Sequence, residues 1–94
     1  MTEFDLNQAG FQADLLALEK AELLAFFKTL RKLRALSWSD VHRDKGLRLE
    51  SIKSLGVADA YTIRVTLRCR AVVTREGDLL RFLSLHPYHD SAYR

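Results

Sequence analysis

The sequence predicts an α+β fold, in which an N-terminal pair of helices packs on a small antiparallel β-sheet. In the first half of the 94-residue chain the apolar residues recur with a helical period. After Gly46 the period changes to two, which is typical of strands. The chain contains 48% hydrophobic residues and one proline, a composition typical of a compact protein, so we expect a single domain over residues 1–94.

The helical region runs from about Phe11 to Leu36 and contains no proline. Its apolar stripe is formed by Leu16, Leu23, Phe27 and Leu30, with Leu24, Phe26 and Leu33 on the flanks. We expect a break near residues 18–20 that separates a short helix from a longer one. Ahead of them, "EFDLN" favours a short edge strand.

A basic run, "KTLRKLR", lies on the side of the longer helix away from the leucines. It contains Lys28, Arg31, Lys32 and Arg34. Two interpretations remain open: a solvated face that also suits the dipole at the helix C-terminus, and a patch that faces phosphate groups. In the segment that follows, we expect Ser39 to cap a short turn and Trp38 to pack between helix and sheet.

Four strand-like runs follow Gly46: "LRLESIK", "YTIRVT", "CRAVVTR" and "LLRFLSLH". The second and third runs are separated by Leu67 and Arg68, and the third and fourth by "EGD", so both gaps are short enough for hairpins. In "YTIRVT" the apolar and polar residues alternate. We therefore expect one sheet face to pack under the helices and the other to stay open.

Charge and cysteine content restrict the function classes. The net charge of +3 permits a polyanionic partner but does not require one. With Cys69 as its single cysteine, the chain excludes an intramolecular disulfide and any CxxC metal or redox motif. The N-terminal segment lacks the basic region of a secretion signal, and no stretch has the roughly 18 apolar residues of a membrane span, so we expect a cytoplasmic protein without membrane contact.

Several polar residues converge on the predicted open face or on the tail that follows it. They are Glu50, Arg64, Arg70, His86, Tyr88, His89, Asp90 and Tyr93. Cleavage of RNA by its own 2′-hydroxyl needs a proton acceptor, a cation beside the phosphorane and an acid for the leaving 5′-oxygen. Glu50 or a histidine fits the first role, Arg70 the second and His89 the third. The tyrosines Tyr88 and Tyr93 are suited to stack on bases or to donate to phosphate.

Two other interpretations of the tail "HPYHD" remain open. His86, His89 and Asp90 are all acceptable metal ligands, although no fourth ligand is evident in the sequence. The histidines also fit ordinary surface hydrogen bonding. No cofactor is expected.

The order of the elements, together with four segments, resembles the RelE/ParE superfamily of bacterial type II toxin–antitoxin toxins. The segments are "GLRLESIK", "YTIRVTLRCRAVV", "GDLLRFLSLH" and "HDSAY". The similarity is closer to the RelE/YoeB-like branch. This resemblance implies an mRNA endonuclease that acts on the ribosome to inhibit translation and is neutralised by a cognate antitoxin.

By position, the resemblance implies a role for individual residues. It matches Glu50 to the catalytic base, Arg70 to the arginine that steadies the scissile phosphate, and His89 and Tyr93 to the functional residues after the last strand. Arg48 and Lys53 match the basic residues near the glutamate strand, and Arg64, His86 and Tyr88 are further candidate RNA contacts. His86 is an alternative to His89.

Two function classes follow. The first is a ribosome-dependent endonuclease, for which we expect Arg70 and His89 to face solvent. The second is a non-catalytic binding module of the same fold, comparable to the ParE-like branch that targets DNA gyrase. The discriminating feature is whether Glu50, Arg70 and His89 share one surface.

Overall fold

The computed structural model describes residues 2–53, 56 and 58–87. Three helices pack on a five-stranded sheet, which confirms the predicted α+β class. The helices are α1 (Ala9–Ala17), α2 (Lys20–Ala35) and α3 (Trp38–Arg43). The strands are β1 (Glu3–Asp5), β2 (Glu50–Ser51), β3 (Ala60–Thr66), β4 (Cys69–Glu76) and β5 (Leu79–His86).

The strands are arranged in the order β1-β5-β4-β3-β2. The two predicted hairpins, β3-β4 and β4-β5, are antiparallel, whereas the predicted edge strand β1 pairs with β5 in parallel. The first predicted run, "LRLESIK", forms a strand only at Glu50 and Ser51. One reason is that Arg48 has a positive φ of 45°, which is incompatible with an extended strand.

The helical region divides where the sequence predicts, between Ala17 and Lys20. The predicted buried stripe is partly wrong, because Leu16 is 86% exposed and Phe27 is 47% exposed. The row that faces the sheet is instead Phe26, Thr29 and Leu33. Within the described residues, no helix is long and apolar enough to cross a membrane.

The core is centred on Phe82 of β5. Its ring lies 5.5 Å from the rings of both Phe11 and Phe26 and 6.0 Å from that of Phe4. The three partners come from α1, α2 and β1, so one side chain joins the helical layer to the sheet. This cluster explains why α2 turns Phe26 inwards rather than Phe27.

The short helix α3 closes one end of the helical layer. Its N-cap is Ser37 rather than the predicted Ser39, because the Ser37 hydroxyl accepts a hydrogen bond from the Asp40 backbone N–H at 3.2 Å. Trp38 packs as predicted: its ring lies 5.2 Å from that of Tyr61 in β3, and the Arg75 guanidinium lies 4.5 Å from its centroid.

The aromatic cluster makes a prediction about stability. Phe82→Ala is expected to lower the free energy of unfolding by about 3–5 kcal/mol, since it opens a cavity between three elements. The control Leu16→Ala, at an exposed position, is expected to change it by about 0.5 kcal/mol or less. Urea unfolding followed by circular dichroism measures both. Equal losses in the two variants would contradict this account of the core.

Candidate active site

The candidate site lies on the sheet face opposite the helices. Cross-strand pairing places its residues in two neighbouring rows. One row contains Glu50, Thr62, Val72 and Ser84, and the other contains Arg64, Arg70 and His86. Residues that are paired across strands on one face lie within side-chain reach of each other. Glu50 and Arg70 therefore share one surface with His86, the alternative to His89, whereas His89 itself lies outside the described residues.

A bulge in β5 puts the histidine on this face. Val72 pairs with Ser84 and Val73 with Phe82, so Leu83 is an extra residue in the strand. Without the extra residue, strict alternation would turn His86 to the same side as Phe82, into the core. The backbone N–H of Leu85 donates to the Asp14 carboxylate of α1 at 3.0 Å, which holds the strand just after the bulge.

Arg70 is buried at the centre of this face. Only 2% of its surface is exposed, so the expectation that it faces solvent is wrong. Its Nη2 donates to the Thr62 hydroxyl at 2.7 Å and to the Arg48 carbonyl at 2.8 Å. Thr62 is 1% exposed, which means that the centre of the predicted open face is itself buried.

Glu50 neutralises this buried cation. Its Oε1 lies 3.0 Å from Arg70 Nη2, and the glutamate side chain is 49% exposed. Glu50 thus reaches from the buried guanidinium to the surface. The Nε of Arg70 has no hydrogen-bond partner among residues 2–53, 56 and 58–87. A carboxylate fixed in this way can accept a proton from a bound substrate.

The segment that leads to Glu50 is fixed by a second carboxylate. Asp44 Oδ1 accepts from the Leu47 backbone N–H at 2.9 Å and from Lys32 Nζ at 2.8 Å. The hydrogen bond from Lys32 is the main reason why the pKa of Asp44 lies below its ordinary value. The Arg64 backbone N–H also donates to the Leu47 carbonyl, at 2.7 Å.

His86 has a polar neighbour on its own strand. Its Nε2 lies 2.9 Å from the Ser84 hydroxyl, and either group can be the donor, depending on the tautomer. Since His86 is also the cross-strand partner of Arg70, it stands beside the buried cation. This arrangement allows it to exchange a proton with a group bound on the face.

The other predicted site residues divide into two groups. Arg48 and Lys53 are exposed in the segment around Glu50, and Arg64 is half-buried beside Arg70. Tyr88, His89, Asp90 and Tyr93 lie outside the described residues. The same holds for two of the three predicted metal ligands, and the part of the chain that is described contains no cluster of three His, Cys, Asp or Glu residues.

Three residues of the site were missed by sequence reasoning. Thr62 could have been found, because the alternation in "YTIRVT" places it on the face of Arg64. Ser84 had no signal, since its orientation depends on the bulge at Leu83. Asp44 resembles an ordinary turn residue, and only the fold shows which backbone it holds.

No protein-family model matches this sequence, and no curated protein matches it. Several solved structures, however, are similar to this chain. The chain is similar to the RelB-RelE antitoxin-toxin complex from Methanococcus jannaschii, with a TM-score of 0.66 at 18% identity over 96% of this chain and 93% of the matched chain. It is similar to a copper-bound mutant toxin from Helicobacter pylori, with a TM-score of 0.60 at 21% identity over 97% and 98%. The archaeal RelE-RelB complex from Pyrococcus horikoshii OT3 gives 0.62 at 20% identity over 85% and 88%.

The burial of Arg70 predicts unequal effects of removing either member of the ion pair. Arg70→Ala is expected to lower the free energy of unfolding by at least about 2 kcal/mol, since it leaves the Thr62 hydroxyl and the Arg48 carbonyl without their donor. Glu50→Gln is expected to cost less than Arg70→Ala, because Glu50 is half exposed and the amide oxygen of glutamine still accepts, although the buried guanidinium loses its counter-ion. Denaturant unfolding of both variants checks this order, and a larger loss for Glu50→Gln would contradict it.

The lowered pKa of Asp44 predicts a pH dependence. A carboxyl whose pKa is lower in the folded state contributes stability above its unfolded value, 3.8, and this contribution is lost as the pH falls through the folded value. Asp44→Asn is therefore expected to cost about 1 kcal/mol at pH 7, since Lys32 is partly exposed, and progressively less below pH 3.8. Thermal unfolding across pH, with Asp78→Asn as control, measures this; a pH-independent difference would argue against it.

Proposed function

We propose that this chain, which has the fold of the RelE toxins, is the toxin of a type II toxin–antitoxin system and cleaves mRNA on the ribosome. The observation that carries the proposal is the set of Glu50, Arg70 and His86 on one sheet face. A carboxylate, a cation and a histidine are the groups that cleavage by a 2′-hydroxyl requires.

In the proposed reaction Glu50 takes the proton of the 2′-hydroxyl. The O2′–P bond forms, the P–O5′ bond breaks, and an acid delivers a proton to the departing 5′-oxygen. His89 is the predicted acid, and the position of His86 opposite Arg70 supports His86 as the alternative. No cofactor takes part in this scheme.

Arg70 is proposed to stabilise the reaction electrostatically, although its guanidinium is buried. Its guanidinium places Glu50. Once Glu50 has taken the proton, the charge of Arg70 is no longer neutralised, and it can stabilise a phosphorane from surroundings that water does not reach. Its Nε is a remaining donor. Arg48, Lys53 and Arg64 are proposed to contact RNA, and Tyr88 and Tyr93 to stack on it or donate to phosphate.

The proposed partners are a cognate antitoxin, the ribosome and mRNA. Two of the similar structures are antitoxin–toxin complexes, which supports the first of these. Ribosomes lie in the cytoplasm, so we place the action of the protein there.

One observation favours a second candidate function. Glu50 and Arg70 already neutralise each other, and Leu24 and Phe27 of α2 are 54% and 47% exposed. Apolar side chains on a helix surface suit contact with a protein. A non-catalytic module that binds a protein partner, such as DNA gyrase, is therefore the alternative.

An end-mapped cleavage assay tests the proposal. Purified protein is mixed with mRNA-programmed ribosomes and, separately, with naked RNA. We expect cuts on the ribosome and a rate roughly 10²- to 10⁴-fold lower for Glu50→Gln, the range that general base catalysis supplies. Glu76→Gln, an exposed glutamate at the other end of β4, is the matched control and should cleave like the wild type.

Glu50→Gln is preferred to a variant of Arg70, because loss of the buried arginine would also destabilise the fold. A loss of cleavage activity in that variant would then not identify a role in the chemical step. His86→Gln and His89→Gln, compared in the same assay, identify the acid. Absence of cuts by the folded wild type would refute the endonuclease and favour the binding module.

A further inference from the structure

A groove between α2 and β3 is lined by three cationic residues. Its walls are Ala25, Lys28, Thr29 and Lys32 of α2, the turn residues Gly46 and Leu47, and Arg64 and Val65 of β3. The four helical residues have the spacing i, i+3, i+4 and i+7, so they form one face of α2. The basic run noted in the sequence is thus divided: Lys28 and Lys32 face the groove, whereas Arg34 lies on the opposite side of the helix.

The groove has the size for a hydrated anion. Its volume is about 220 Å³, whereas a water molecule occupies roughly 30 Å³ in the liquid. It therefore has room for a phosphate group and several waters.

The charges in the groove are only partly neutralised. Lys32 forms an ion pair with Asp44 at 2.8 Å. Among the described residues, Lys28 and Arg64 form no ion pair. Two positive charges beside one shallow depression attract phosphate more strongly than isolated surface lysines do, because their fields add.

The groove and the candidate active site share one residue, Arg64. Arg64 lines the groove and is the cross-strand partner of Arg70. A polymer with regularly spaced negative charges could occupy both places at once. The large exposed apolar side chains of α2, Leu24 and Phe27, do not line the groove, so it has no exposed aromatic anchor of the kind that protein interfaces favour.

We propose that this groove binds a phosphate of the RNA backbone and thereby docks RNA beside the face that carries Glu50. The inference rests on the proposed function in taking RNA as the ligand of both surfaces. Lys28 and Arg64 supply the charge that contacts phosphate. Lys32 fixes the floor of the groove through Asp44.

Binding measured as a function of salt tests this proposal. Fluorescent single-stranded RNA is titrated with the wild type, Lys28→Gln and the double variant Lys28→Gln/Arg64→Gln. Each lost phosphate contact is expected to reduce the slope of log K against log salt by about 0.7, which corresponds to about fivefold weaker binding at 0.1 M salt. Arg34→Gln removes the same charge from the opposite side of α2, and its effect on affinity should be clearly smaller.

Three outcomes would overturn the inference: equal effects of Lys28→Gln and Arg34→Gln, no RNA binding by the wild type, or weaker binding of oligoglutamate in Lys28→Gln with RNA binding unchanged. The third would assign the groove to an acidic protein segment.

The cleavage assay run in parallel separates this inference from the proposed function. If RNA binding depends on Lys28 but no cleavage occurs, the groove is an RNA-binding site and the proposed endonuclease activity is refuted. If cleavage occurs and RNA binding does not depend on Lys28, the endonuclease is supported and the proposed role of the groove is refuted.

Discussion

The site depends on a single buried cation. The guanidinium of Arg70 in β4 contacts Thr62 in β3, the Arg48 carbonyl and the Glu50 carboxylate. Since β2 has only two residues, its backbone ladder is too short to fix the segment that carries Glu50. A buried charge is costly unless it is paired, so Arg70 and this segment stabilise each other. The same contacts that hold the edge of the sheet therefore position the candidate base.

One face of the sheet packs against the helices and the other carries the candidate site, because the helices cover only one face. The aromatic cluster around Phe82 joins α1, α2 and β1 on the covered face. On the other face, polar residues of four strands meet on rigid elements rather than on loops, which favours a well-defined geometry. The bulge at Leu83 allows a single strand to contribute to both faces, since Phe82 points into the core and His86 points away from it.

Much of the architecture was predictable because it depends on local signals. Hydrophobic period and hairpin-sized gaps predicted the helix break, the two hairpins and the edge strand, and the strand order predicted that Glu50 and Arg70 lie close together. The position of His86 on the same face depends on the bulge at Leu83. The remaining features depend on tertiary contacts. The rotation of α2 follows from the packing of Phe26 on Phe82. The burial of Arg70 follows from a backbone carbonyl at Arg48 that no sequence pattern marks.

The most direct test of the account is site-specific crosslinking on the ribosome. A photoreactive group is attached to a cysteine introduced at Ser84, on the candidate site, or at Ser39, on the helical layer. Cys69 does not interfere, because it is buried and burial raises the pKa of its thiol to about 11. We expect crosslinks to mRNA from position 84 and few or none from position 39. Crosslinks to mRNA from position 39 alone would contradict it.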